Sequence, residues 1–262
     1  MKNILQNKKK NKKIILFRAN FGNYDDIKKL QDNKYIKITK YLFTEKKNKT
    51  YSSRETKIIS KKKIFDYLKL INLYKKKLTN TDLNRIIKIY PFNFFKNYDY
   101  IAYADSTISV IGSLNNLIGK RDEWIGLRHR FSRSIHDELK ACYINNKITF
   151  KEFLDFYKKK INFKEYSRFI ENGFFIRKNC NLVKKVSWIW LEKYLNGPHR
   201  DQLHLVNIPE FKKIRLKLLD FDLNSKNLLL KRHSRNSTNY KLFYNRITKF
   251  FRIIVLYICK EK

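Results

Sequence analysis

Three stretches of this chain hold residue types that can do chemistry. Tyr98 to Ala104 is an aromatic and apolar run bounded by Asn97 and Asp105, and it reads as a buried central strand. In open α/β sheets ligands bind beyond the carboxyl ends of the strands. A carboxylate there, Asp105, can hold a divalent metal (Mn or Mg) that bridges a diphosphate. It can equally cap a turn, and Asp105-Ser106-Thr107 lacks the second carboxylate of a DxD motif. The second stretch is Gly197-Pro198-His199-Arg200-Asp201-Gln202-Leu203. Gly and Pro break the preceding helix, and four consecutive polar residues make a poor core element. Asp201 can take a proton from a hydroxyl or bind that hydroxyl, and Arg200 can hold a phosphate or a carboxylate. The third stretch reads as a helix over 129–143, with Phe131, Ile135, Leu139 and Cys142 on its core face. Arg133 and Asp137 lie opposite at i, i+4, where they can form a surface ion pair. His129 and His136 flank them. Glu138 sits at the edge of the buried face, where a carboxylate needs a partner.

These residues need a scaffold. Ile14 to Phe17 reads as a buried strand, followed by the loop Ala19 to Asp25, and Tyr35 to Thr39 as a second strand. Ile64, Phe65, Leu68, Ile71 and Leu78 fall at helical spacing over 61–78, and Asn80-Thr81-Asp82 can cap a next helix that carries Arg85 and Lys88. Helices are expected within 150–170 and over 185–195, the latter stopped by Gly197-Pro198. Strands alternating with helices indicate an α/β domain with a mostly parallel sheet. The expected division is a basic lead over 1–13, one domain over 14–219, and a basic tail over 220–262. In that tail Ser225 to Asn239 reads as a linker. Phe243, Ile247, Phe250, Phe251, Ile254 and Ile258 then give a basic amphipathic helix. That helix either packs on the domain or lies on an acidic membrane surface.

Composition narrows the function classes. A chain of 262 residues that is 43% hydrophobic, with 6 Gly and 3 Pro, can bury a core and is neither collagen-like nor linker-rich. The net charge of +37 at first suggests nucleic acid. Yet Lys, Asn, Ile, Tyr and Phe are enriched together and the lysines are scattered, as AT-rich coding produces. No specific nucleic acid is expected. The charge still favours anionic partners: nucleotide phosphates, acidic glycans or an anionic membrane leaflet. Cys142, Cys180 and Cys259 form no CxxC pair, which suits a reduced, cytoplasmic setting without structural zinc. The apolar runs near both ends are too short to span a bilayer, so any membrane association is expected at its inner face.

Four ordered segments carry a resemblance to a known family. Phe17 to Asp25 is similar to an opening strand and "FGxYD" loop. Arg85 to Pro91, running into Tyr98 to Asp105, is similar to an "R-x-x-K-x-x-P … YDYxIYxD" block. His129 to Glu138 resembles an "H-P-x-R-x-x-x-Y-x-E" helix, with His136 in the aromatic place. Gly173 to Asn179, then Trp188 and Arg200-Asp201-Gln202-Leu203, resembles a "G-x-x-x-R … W … RDQLS" ending, with His204 in place of Ser. Over about residues 14–210 the chain thus resembles the glycosyltransferase-like domain family that includes plant mucilage-related and bacterial polysaccharide-locus proteins. The resemblance implies a GT-A-like (Rossmann-like) fold and transfer of a hexose from a nucleotide-diphosphate sugar to a surface polysaccharide or glycolipid. It implies that Asn20, Asn23 and Asp25 lie near the nucleotide, that Arg85 and Lys88 meet the diphosphate, and that Asp105 takes the metal or ribose side. His129, Arg133, Glu138, Arg200, Asp201 and Gln202 would line the cleft. A basic nucleic-acid-binding protein and an inactive glycan-binding member of the same family are the competing expectations.

Overall fold

Ile14–Asn20 (β1) is buried along its whole length, as a central strand covered on both faces must be. The computed structural model describes residues 12–22, 38–44, 56–73, 77–130, 134–158, 168–220, 227–230 and 239–258. After β1 come Thr39–Thr44 (β2), Thr56–Ser60 (β3), Lys61–Leu70 (α1), Asn80–Ile89 (α2) and Tyr100–Ala104 (β4). Ile108–Val110 (β5), Trp124–Arg128 (β6), Ile135–Ile144 (α3), Phe150–Tyr157 (α4), Ile170–Lys178 (β7) and Asn181–Leu195 (α5) follow. Pro209–Lys212 (α6), Leu216–Leu219 (β8), Leu228–Leu230 (β9) and Asn239–Ile258 (α7) complete the described elements.

The main sheet has seven strands in the order β3-β2-β1-β4-β7-β6-β8. All neighbours are parallel except β7, which runs antiparallel to both β4 and β6. The sheet is therefore mostly parallel, as expected. Side chains alternate across it. Phe17, Ile101, Tyr103, Trp124 and Phe175 face a core with Leu83, Ile86, Val183, Val186 and Trp190 of α2 and α5. Leu16, Tyr100, Ala102, Ile125 and Ile176 face a second core closed by Ile108, Val110, Leu114 and Leu228. Thus β5 and β9, paired as a two-stranded ribbon, cover the face opposite α2 and α5.

Several boundaries differ from the sequence reading, each for a local reason. The first helix stops at Leu70 rather than 78, because Asn72 adopts a left-handed φ of 56° and the Leu73 amide folds back to Leu68 O. The cap of α2 is Thr79, one residue upstream of the expected set; its hydroxyl takes the Asp82 amide, and Asp82 returns the bond as a capping box. The helix expected over 129–143 starts at Ile135, where the Ser134 hydroxyl caps it by accepting from Asp137 N. His129 instead follows strand β6. The second strand begins at Thr39; residues 35–37 lie outside the described part. Leu228–Leu230, within the expected linker, is a strand on β5.

Candidate functional site

The site is built on the carboxyl edge of β1 and β4. The Asn84 side chain accepts from Phe21 N at 2.8 Å and donates to Phe21 O at 3.2 Å, which fastens α2 over the end of β1. Arg85 and Lys88, three residues apart, share one face of α2. Lys88 is only 2% exposed, and its Nζ lies 2.8 Å from Asp201 Oδ2 and 3.8 Å from Asp105 Oδ1. The ring of Tyr103 lies 5.0 Å beneath it. Arg85 Nε reaches Asp201 Oδ1 at 3.5 Å and keeps part of its surface open. Asp201, also 2% exposed, opens the short 3-10 turn Asp201–Leu203, and its backbone carbonyl accepts the Trp190 indole N–H at 2.8 Å. Asp105 is the open carboxylate at 35% exposure; its Oδ1 accepts the Tyr103 hydroxyl at 2.6 Å.

A second arm continues from Arg200, whose Nη2 donates to Gln202 Oε1 at 2.9 Å and lies 3.6 Å from Glu138 Oε1. Glu138, buried as expected, has its partners: Arg200, His129 Nε2 at 3.4 Å and the Cys142 thiol at 3.3 Å. The structure thus brings Arg85, Lys88, Asp105 and Asp201 together, and joins Arg200, Gln202, Glu138 and His129 beside them. Asn20 is buried at the end of β1, on the same edge. Asn23, Asp25 and Arg133 lie outside the described residues.

Electrostatics sorts these groups. Burial alone would raise the Asp201 pKa, but Arg85, Lys88 and Arg200 outweigh it and hold the carboxyl well below the usual range. Burial lowers Lys88 and the two aspartates only partly restore it, whereas for Arg85 they prevail and push the pKa up. A buried, ion-paired carboxylate of depressed pKa is a weak proton acceptor. Asp201, expected as a general base or as a ligand of a hydroxyl, is in this structure the anion that pairs with both Arg85 and Lys88. Burial also lowers His129, against the pull of Glu138, so the imidazole is neutral near pH 7.

Among the described residues, the groups around Asp105 do not make up the expected divalent-metal site. Among the described residues no three His, Cys, Asp or Glu side chains gather closely enough to hold an ion. The Asp105 carboxylate meets a lysine ammonium and a tyrosine hydroxyl, both hydrogen-bond donors. This donor set belongs to an ion pair.

Sequence reading missed three contributors. Arg177 of β7 is fully buried; it donates to Ile89 O, Lys88 O and Ser187 Oγ, so it clamps the end of α2. Its place in the "G-x-x-x-R" match was the only signal. Asp82, beyond its capping bond, accepts from Tyr194 at 3.0 Å and pairs with His199 Nδ1 at 2.8 Å. His204, the departure from "RDQLS", is buried with its Nε2 2.9 Å from Pro198 O. A Cβ on Gly197 would come within 2.8 Å of that ring and 2.9 Å of Lys193 O, so the tight turn needs glycine.

These shifts fix the sign of the acid response. His129 has a lowered folded pKa, so the unfolded chain binds that proton first and stability falls as pH drops below about 6.5. Asp201 and Asp82 have lowered pKa values, burial being overcome by cations in one and by the bonds from Thr79, Tyr194 and His199 in the other. Their stabilisation is complete above about pH 4 and is lost as pH falls further. Urea unfolding across pH 3–7 is expected to show two descending limbs, and His129→Asn should flatten only the upper one.

No protein-family model matches the chain, and no curated protein is detectably similar to it. Among solved structures, the bifunctional glycosyltransferase WbbM in its apo form superposes with a TM-score of 0.51 at 11% identity, over 82% of this chain. The fold is that of a GT-A glycosyltransferase domain. The chain spans 40% of the length of WbbM. Mouse xyloside xylosyltransferase 1, also apo, gives a TM-score of 0.44 at 9% identity, covering 79% of this chain and 85% of its own.

Proposed function

We propose that this chain transfers a glycosyl group, a hexose, from a nucleotide-diphosphate sugar to a surface polysaccharide or glycolipid. The observation that carries the reading is the convergence of Arg85, Lys88 and Arg200 around buried Asp201 at the carboxyl edge of a GT-A-like sheet. The leaving group of such a reaction is a nucleoside diphosphate, whose developing charge needs fixed cations. Arg85 and Arg200, each partly exposed, present guanidinium donors suited to phosphate oxygens. Lys88 stands behind them and Asp201 holds the array rigid, so no reorganisation is needed as charge builds. Asp105, the exposed carboxylate beside Lys88, suits the ribose or sugar hydroxyls of the donor or the acceptor hydroxyl. Glu138 fixes Arg200 from the other side, and neutral His129 supports Glu138.

A thermal melting screen with UDP, GDP, CMP and ADP tests this. A ligand present at about one hundred times its Kd adds about 2.7 kcal/mol to stability, a rise on the order of 5 °C for a chain of this size. One nucleoside diphosphate is expected to give that rise, with or without manganese, and Arg85→Ala to abolish it. No rise with any nucleotide would overturn the reading.

A further inference from the structure

The terminal helix α7 is attached to the domain by the side that a surface helix normally gives to water. Arg252 points inward: its guanidinium donates to Tyr143 O at 2.5 Å, to Ile148 O at 3.3 Å and to Asn146 Oδ1 at 2.6 Å, and lies over the Tyr143 ring. Leu256, one turn on, packs against the main core. On the opposite side Ile247, Phe250, Phe251 and Ile254 follow one another at i, i+3, i+4 and i+7, with Ile253 and Tyr257 alongside, and all six are exposed. Phe250 is 62% and Phe251 61% open to solvent. Aromatic side chains in a contiguous outward stripe mark an interaction surface rather than ordinary surface scatter.

We propose that this stripe lies in the interface of an anionic lipid bilayer, with α7 parallel to the membrane plane. Charge decides between the occupants. A second copy of the chain would bring another +37 against this one, which self-repulsion opposes. An acidic leaflet attracts the same charge, and exposed Lys249 flanks the stripe at headgroup level. The Phe rings suit the acyl boundary as apolar anchors, and Tyr257 can bury its ring while its hydroxyl stays among the headgroups. No described helix is long and apolar enough to cross a membrane, so the contact is peripheral. The helix holds to α3 and its following turn through Arg252, so the domain would be carried at the surface. This docking does not depend on what the domain catalyses.

Flotation with phosphatidylcholine vesicles, with and without phosphatidylglycerol, tests the proposal. The chain is expected to float with the mixed vesicles, and Phe250→Ser with Phe251→Ser to lower its partitioning at least about tenfold at unchanged melting temperature. Equal flotation of both proteins would mean that charge alone attracts the vesicles and would overturn the proposal. So would sedimentation showing a dimer that the double variant converts to monomer without changing flotation. Tyr257→Trp gives a second readout. Its emission should be quenched by brominated acyl chains beyond the quenching of native Trp124, Trp188 and Trp190, and no added quenching would also overturn it.

Discussion

Asp201→Asn is expected to lower stability by about 3–5 kcal/mol, read as a fall in the urea midpoint at constant slope. The substitution removes the anion from a place where Lys88 is almost wholly buried and Arg85 leans on the same carboxylate. Among the described residues, Lys88 then keeps Asp105, at 3.8 Å, as its one anionic partner. Lys88→Met is expected to cost a similar amount for the opposite reason, because Asp201 stays ionised in a buried site with one cation fewer. Replacing both partners together, Lys88→Met with Asp201→Leu, should recover most of the loss, since an apolar pair of similar volume is often as stable as a buried ion pair. The nucleotide-induced rise in melting temperature should stay lost in that double variant. If the pair were only a structural fastening, nucleotide binding would return with stability. If the losses of Lys88→Met and of Asp201→Leu, each measured singly, merely added in the double variant, the residues would not be coupled and the organising role of Asp201 would fail.

The framework of this site was readable where one signal dominated. Ile14 to Phe17 is a continuous apolar run and became β1. Tyr98 to Ala104 is aromatic and apolar and contains β4, which places Asp105 at its end. The spacing of Arg85 and Lys88 put both on one helical face, and the polar row at Arg200 to Gln202 marked a break that the structure uses. The failures came from competing periods. Phe131, Ile135 and Leu139 keep helical spacing across Ser134, so the pattern ran past the true cap and absorbed His129. β7 begins Ile170-Glu171-Asn172-Gly173, with polar residues and a register shift against β6, so no alternation announces it. Partnership was the least readable property. Asp201 and Lys88 lie far apart in the chain, and nothing in their neighbourhoods says that each buries the other's charge. For α7 the periodicity found the apolar stripe, but the direction it faces is set by Arg252, a residue the pattern assigns to the polar side.

Arg177 extends the same lesson to a charge that sequence reading places outside a core. Arg177→Met is expected to cost about 3–5 kcal/mol, because three acceptors lose their donor at once: Lys88 O, Ile89 O and Ser187 Oγ. The first two are terminal carbonyls of α2, which have no partner inside the helix. A guanidinium there also offsets the negative end of the helix dipole. Phe92, Trp124 and Phe175 enclose it with their rings 4.7 to 5.3 Å from Cζ. Burial lowers its pKa to about 9, against the opposing pull of Tyr98 and Tyr67, so it remains charged at neutral pH. Arg177→Lys should rescue only part of the loss, since an ammonium cannot span the acceptors that the two guanidinium nitrogens reach. The consequence reaches the site because Arg177 grips the backbone of Lys88 itself. At a temperature where the lysine variant is still fully folded, its Kd for the stabilising nucleotide is expected to rise. Unchanged affinity in a folded Arg177→Lys protein would limit Arg177 to stability and leave Lys88 positioned by Asp201 alone.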